Sequence, residues 1–161
     1  MNGFYYEFFN GNFNGVNAST NPAIPNVIES DLPITVAQYI TTQGVDGNSN
    51  AVPGGDPEMI YLSPVEQTIN NITLYSANRF NILQSYINVI LKKGGENSFT
   101  LDGVSQTANF LTHPGDANYK YAILKVNAGN HNLYSDTGYN AIAYGFGSAE
   151  TYGYNAGTNV K

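Results

Sequence analysis

The chain has 161 residues and a mass of 17.4 kDa, with no cysteine, 42% hydrophobic and 13% aromatic residues, only 11% charged residues, and a net charge of -6. That length suits one domain able to bury roughly 70% of the surface its unfolded form exposes. The missing cysteine excludes disulfides, thiolate metal sites and cysteine nucleophiles. The acidic balance argues against a nucleic-acid partner, since only Lys92 and Lys93 are adjacent among six basic residues.

Taken in order, Gly3 to Phe9 reads GFYYEFF, aromatic on both faces and suited to a buried or interface strand, with neither the basic start nor the small-residue cleavage site of a signal peptide. Asn10-Gly11 and Asn14-Gly15 are turn dipeptides, and residues 17–25 read as loop. Asn26 to Glu29 offers a short strand. Pro33 to Thr42, PITVAQYITT, is β-branched and aromatic, with proline at the first position, where a strand tolerates it. The long stretch QGVDGNSNAVPGGDP follows as loop, then strands over Glu58–Leu62 and Gln67–Ser76 with a brief helical turn near Pro64.

Period-two alternation across Gln84–Lys93 marks a strand, and Gly94-Gly95 signals a hairpin. Asn97–Asp102 with Gly103 reads as strand and turn, and Val104–Leu111 is ambiguous. Beyond the loop at His113–Asp116, YKYAILKVNAGNHNLYS reads as two strands hinged at Asn127–Asn130. Residues 138–157, GYNAIAYGFGSAETYGYNAG, interleave glycine with tyrosine and phenylalanine and read as two strands and a corner. No segment sustains a helical period with capping signals, and no apolar run reaches the roughly 18 residues of a membrane helix, so no direct membrane insertion is expected. The expected architecture is all-β: an antiparallel two-sheet β-sandwich of jelly-roll or Greek-key type with little helix, as one domain over residues 1–161.

Four pieces together carry a resemblance: SDLPITVAQY from Ser30 to Tyr39, GDPEM from Gly55 to Met59, FTLDG from Phe99 to Gly103, and the run from Gly129-Asn130-His131 into Tyr144-Gly145-Phe146-Gly147. They resemble the IgGFc-binding protein N-terminal-like domain of large surface and secreted proteins of Bacteroidetes-type bacteria. The resemblance implies an extracellular, non-enzymatic module excised from a longer adhesin-like protein, with an extracellular protein or a glycan as its partner. It transfers no ligand residues, and the cysteines of animal relatives are absent.

The residues themselves supply several candidate sites. Asp46, Asn48 and Asn50, with Asp56 beyond them, cluster hard oxygen donors of the kind calcium takes, although Ala51 stands where an EF-hand loop needs glycine and Pro57 where it needs glutamate. The rival reading is a solvated turn held by Asx hydrogen bonds. Asp56 and Glu58, two apart, have the spacing to form the acid and base of a glycosidase, with Glu150 or Asp136 as a third acid; any acidic strand end gives the same pattern. His113 and His131 lack zinc spacing, and no GxSxG elbow occurs. Tyr152 and Tyr154 are the preferred recognition residues, since an exposed phenol ring stacks on a sugar or enters a partner surface while its hydroxyl bonds. The functional expectation is a binding or adhesion module without chemistry of its own; the rivals are a carbohydrate-binding module and a glycan-active enzyme.

Overall fold

The computed structural model describes residues 25, 27–40, 55–157 and 159. The aromatic segment Gly3–Phe9 and the loop carrying Asp46, Asn48 and Asn50 lie outside them. Among the described residues ten strands run in order: β1 (Ala37–Ile40), β2 (Glu58–Tyr61), β3 (Ile69–Ser76), β4 (Ile82–Lys92), β5 (Thr100–Leu101), β6 (Val104–Ser105), β7 (Leu111–Thr112), β8 (Tyr119–Val126), β9 (Gly129–Gly147) and β10 (Glu150–Asn155). Every pairing is antiparallel. Helix among the described residues is limited to two short 3-10 turns, Gly95–Asn97 and Thr107–Asn109. The all-β, antiparallel expectation therefore holds. The strands form one eight-stranded sheet and a two-stranded ribbon of β1 and β2.

The 19-residue β9 organises the sheet. Its first half pairs with β3 and β5, and its second half pairs with β4 and β10. The two strands expected separately around Asn130 and Tyr139 are thus one strand with a bulge. The β3 register jumps from Ile69 opposite Tyr139 to Asn71 opposite Tyr134, leaving residues 135–138 outside the ladder. A bulge bends a strand and increases its twist, which turns β9 from one half of the sheet into the other. Side chains replace the lost ladder bonds: Asn70 Nδ2 donates to the carbonyls of Ser135 (3.0 Å) and Asp136 (2.8 Å), and Ser98 Oγ accepts from the Asp136 N–H at 3.0 Å.

The concave side holds one core. Alternation along β4 and β8 sends Ile87, Val89, Leu91, Ala122 and Leu124 inward, where they meet Leu74 of β3 and Leu133 of β9. Fully buried Phe99 stands edge-on to Tyr139 and Phe110, with ring centroids 5.2 Å apart in both pairs. The Tyr139 hydroxyl donates to the Leu133 carbonyl at 2.8 Å, so its burial leaves no phenol proton unpaired, and that burial pushes its pKa well up. Opposite the large residues of β4, β9 carries Ala141 and Ala143, in register with Val89 and Ile87. Small against large lets the curled halves close.

Several local readings are corrected. Of the described part of Pro33–Thr42, residues 33–40, only Ala37–Ile40 is strand, residues 33–36 being exposed or half-buried coil, and the described part of Asn26–Glu29 forms no strand. Gly94-Gly95 makes no hairpin between β4 and β5. Both edges of β4 are taken by β8 and β9, so the chain leaves through Gly94, at φ 101°, into a 3-10 turn. The true tight hairpin is at Asp102-Gly103, with φ of 54° and 77°, joining β5 to β6. The ribbon of β1 and β2 rests on β10, with Ile60 buried over Gly153 and the Gly55 N–H donating to the Gly147 carbonyl at 3.2 Å.

Gly103 and Gly138 share a left-handed backbone, φ 77° and 78°, in different surroundings. A Cβ at Gly103 would meet nothing within 4 Å, whereas one at Gly138 would lie 2.7 Å from Thr68 Oγ1 and 3.0 Å from Thr68 Cβ. Gly103→Ala should cost only the backbone strain, about 1 kcal/mol, and Gly138→Ala at least about 1 kcal/mol more. Urea unfolding of the two variants checks this; equal losses would show that the β9 corner is not tightly packed.

Candidate functional site

The acids and tyrosines singled out from the sequence fall in different settings. Asp56 is exposed just before β2, and Glu58, half-buried at the start of β2, turns its Oε1 onto the Met59 N–H at 3.0 Å. Glu150 opens β10, next to the Thr151 that Gly55 packs against, while Asp136 stands on the β9 bulge and accepts a hydrogen bond from the Tyr134 hydroxyl. Among the described residues no three histidines or acids gather as a metal-ligand group.

Tyr152 and Tyr154 stack on one another, centroids 6.2 Å apart, and are half-buried. Their hydroxyls serve the chain itself. Tyr152 donates to Ser85 Oγ at 3.0 Å; Tyr154 donates to the Tyr75 carbonyl at 2.7 Å and accepts from the Tyr75 N–H at 3.1 Å. Burial raises the Tyr154 pKa, partly offset by the bond to Tyr75. The pair thereby fastens β10 to β4 and to the outer edge of β3. On the convex side Tyr86, Tyr144 and Phe146 form a second half-buried aromatic cluster, in which burial pushes the Tyr144 phenol up to about 12.

A strip of exposed polar and aromatic side chains lies on the outer face of β3 and the first half of β9. Their register sets Asn71 opposite Tyr134, Thr73 opposite Asn132 and Tyr75 opposite Asn130, and all six are exposed. Thr100 of β5, opposite Tyr134, and Ser105 of β6, opposite Thr100, continue the face. Tyr75 is 48% exposed and Tyr134 40%, values high enough for each ring to meet a ligand. Each phenol is pinned at its tip, Tyr75 to Asn78 Oδ1 at 2.9 Å and Tyr134 to Asp136 Oδ1. That bond to Asp136 is the main reason the Tyr134 pKa is raised. Between the rings, Asn132 Nδ2 donates to Asn71 Oδ1 (2.9 Å), the Ile72 carbonyl (3.2 Å) and Thr73 Oγ1 (3.4 Å). This leaves Asn71 Nδ2, Asn132 Oδ1 and the Thr73 hydroxyl proton without a partner among the described residues, available to a ligand.

The middle of the strip is braced from the β5 side by Asp102. Its Oδ1 accepts the Asn132 N–H at 2.7 Å, and its Oδ2 meets His131 Nδ1 at 2.7 Å. His131 Nε2 lies 2.8 Å from the Asn127 carbonyl, which can only accept, so Nε2 carries a hydrogen. Desolvation alone would raise the Asp102 pKa, but the hydrogen bonds from His131 and Asn132, with the charge His131 can carry, outweigh it and hold the carboxyl below its ordinary value.

The profile of the family described as IgGFc binding protein matches residues 3–145. The chain belongs to the IgGFc-binding protein family. Comparison with curated proteins and with solved structures gives no match. The pieces that carried the resemblance occupy structural positions in this family member. Phe99 is the centre of the core, Asp102-Gly103 forms the hairpin that braces the strip, and His131 holds Asp102 in place. The match ends within the second half of β9, so it includes β3, β5 and the whole tyrosine-asparagine face but not β10.

The face could have been found by aligning INNITLYS with NHNLYSD, since both place asparagine, threonine or tyrosine at every second position, Asn71, Thr73 and Tyr75 in one and Asn130, Asn132 and Tyr134 in the other. Their pairing was not readable, because the strands stand some sixty residues apart.

The lowered Asp102 pKa fixes a pH signature. A carboxyl whose folded value is depressed stabilises the fold above its unfolded value of about 3.9 and stops doing so as pH falls through the folded value. Asp102→Asn should cost on the order of 1 kcal/mol near neutral pH, a figure discounted for the 47% exposure of the Asp102 side chain. Urea unfolding across pH should show the gap from the parent closing as pH falls below the ordinary carboxylate range; a constant gap would mean that the carboxylate bonds contribute nothing.

Proposed function

We propose that this domain is a non-catalytic binding module of a secreted or cell-surface protein, which attaches to an extracellular protein or glycan through the outer face of β3, β9 and β5. The observation that carries the reading is the pair of exposed tyrosines, Tyr75 and Tyr134, at the two ends of a strip of asparagine and threonine on regular strands. Tyrosine supplies contact area at low entropic cost, and asparagine, serine and threonine supply adaptable hydrogen bonds; recognition surfaces without chemistry are built from this mixture. Membership of a family described by a binding activity supports the same class of function. We further read the curled sheet as a sandwich in which β9 belongs to both layers, so that the convex faces of the two halves remain free for partners.

In this reading Tyr152 and Tyr154 hold the sheet closed, and Asp56 and Glu58 are ordinary acids at a strand end. A glycan-active enzyme would instead use those acids as its catalytic pair. Retention of the intact chain on immobilised immunoglobulin Fc and on a glycan array, compared among variants, separates these roles. The double variant Tyr75→Ala, Tyr134→Ala should lose at least about tenfold in affinity, equivalent to about 1.4 kcal/mol, whereas Tyr152→Phe, Asp56→Asn and Glu58→Gln should retain it. Absence of retention on both supports, or sugar release that depends on Asp56 or Glu58, would overturn the proposal.

A further inference from the structure

We infer that the occupant of the β3 and β9 face is a neutral oligosaccharide chain, bound lengthwise between Tyr75 and Tyr134; the inference rests on the binding reading above and names its ligand class. Size decides first. Tyr75 lies opposite Asn130 and Tyr134 opposite Asn71, so the rings are four positions apart along neighbouring strands, about 14 Å at 3.4 Å per residue. Even with β5 and β6 included, the strip is about 14 Å in each direction, on the order of 200 Å², against about 800 Å² per partner for a stable protein interface. It matches a slender ligand of several linked rings better than a folded protein.

Polarity decides next. The three uncommitted groups in the middle are a donor (Asn71 Nδ2), an acceptor (Asn132 Oδ1) and a hydroxyl (Thr73), which is the complement of a run of sugar hydroxyls. The other ends of these side chains are tied to each other, so the strip is ordered before binding and loses little entropy on it. No lysine or arginine stands on the paired positions of this face, while Asp102 and Asp136 border it. A sulfated or phosphorylated glycan would meet repulsion from Asp102 and Asp136 with no cation on these positions to offset it, and a neutral one meets none. Exposed phenol rings at both ends supply flat apolar faces for the C–H side of a pyranose.

The test is an amide NMR titration of the intact chain with three neutral hexasaccharides: β-linked glucose, β-linked N-acetylglucosamine and α-linked mannose. At least one should give saturable shifts confined to residues 71–75, 100–105 and 130–136, with a Kd of about 0.1 to 1 mM. Raising salt should leave that Kd unchanged, because no charge pair is involved. Tyr75→Ala and Tyr134→Ala should each weaken binding about tenfold, and Thr73→Val, which keeps the shape and removes the hydroxyl, about threefold. No shifts with any of the three sugars, shifts centred on Tyr152 and Tyr154, or binding abolished by salt would overturn the inference. Silence toward the sugars with Tyr75- and Tyr134-dependent retention on immunoglobulin Fc would remove the glycan and leave the binding module standing; silence in both assays removes both.

Discussion

Everything in this domain depends on one strand being shared by two halves of a sheet. The 19-residue β9 pairs with β3 and β5 along its first half and with β4 and β10 along its second, and it bends between them, where residues 135–138 drop out of the ladder. The bend exposes backbone carbonyls that would otherwise be orphaned inside a sheet. Asn70 bonds two of them, and Ser98 supplies the acceptor for the Asp136 N–H. Ser135 and Thr137 add hydroxyls to the same cluster, with Ser135 Oγ also reaching the Gly95 carbonyl. Once that corner is in place, β3 and β5 on one side and β4 and β10 on the other face a common interior, which Phe99 and Tyr139 fill.

The corner also separates half-buried aromatic residues from exposed ones. Downstream of it β9 runs between β4 and β10, and its outward aromatic residues stack with Tyr86 into a half-buried patch. Upstream of it β9 has its inner side chains in the core and its outer ones in water beside those of β3. Tyrosine therefore plays three parts here according to its strand and to the face on which it stands. Tyr139 is core, Tyr154 is a clasp on a strand edge, and Tyr75 and Tyr134 are surface. Low charge suits the last role: with few lysines and glutamates available, amides and hydroxyls carry the solubility of the sheet face and remain able to bond a ligand.

Much of the architecture could be read directly. Alternation in QSYINVILKK identified β4, and the hinge at Asn127–Asn130 set off YKYAILKV as the strand β8; both alternate buried and outer positions, and period two survives when one face is wet or only half-covered. The glycine-aromatic stretch at the end was correctly an extended pair with a corner, which lies at Ser148 and Ala149. The errors share a cause. Gly94-Gly95 has the composition of a hairpin, but a hairpin needs a free edge on the preceding strand and β4 has none. PITVAQYITT has the composition of a strand, but in the structure the ladder of β1 begins only at Ala37, where β2 supplies the partner. Local chemistry predicts what a segment can do; available neighbours decide whether it does.

The sequence by itself determined the all-β, antiparallel character, the near absence of helix and the family, because these follow from side-chain period, turn residues and the order of short motifs along the chain. Only the tertiary structure decided which aromatic residues meet solvent and which partners each acid meets. Exposure is a property of register and of the bend in β9, set by pairs such as Asn71 with Tyr134 that lie some sixty residues apart. No periodicity within either segment encodes which of the two will be its neighbour.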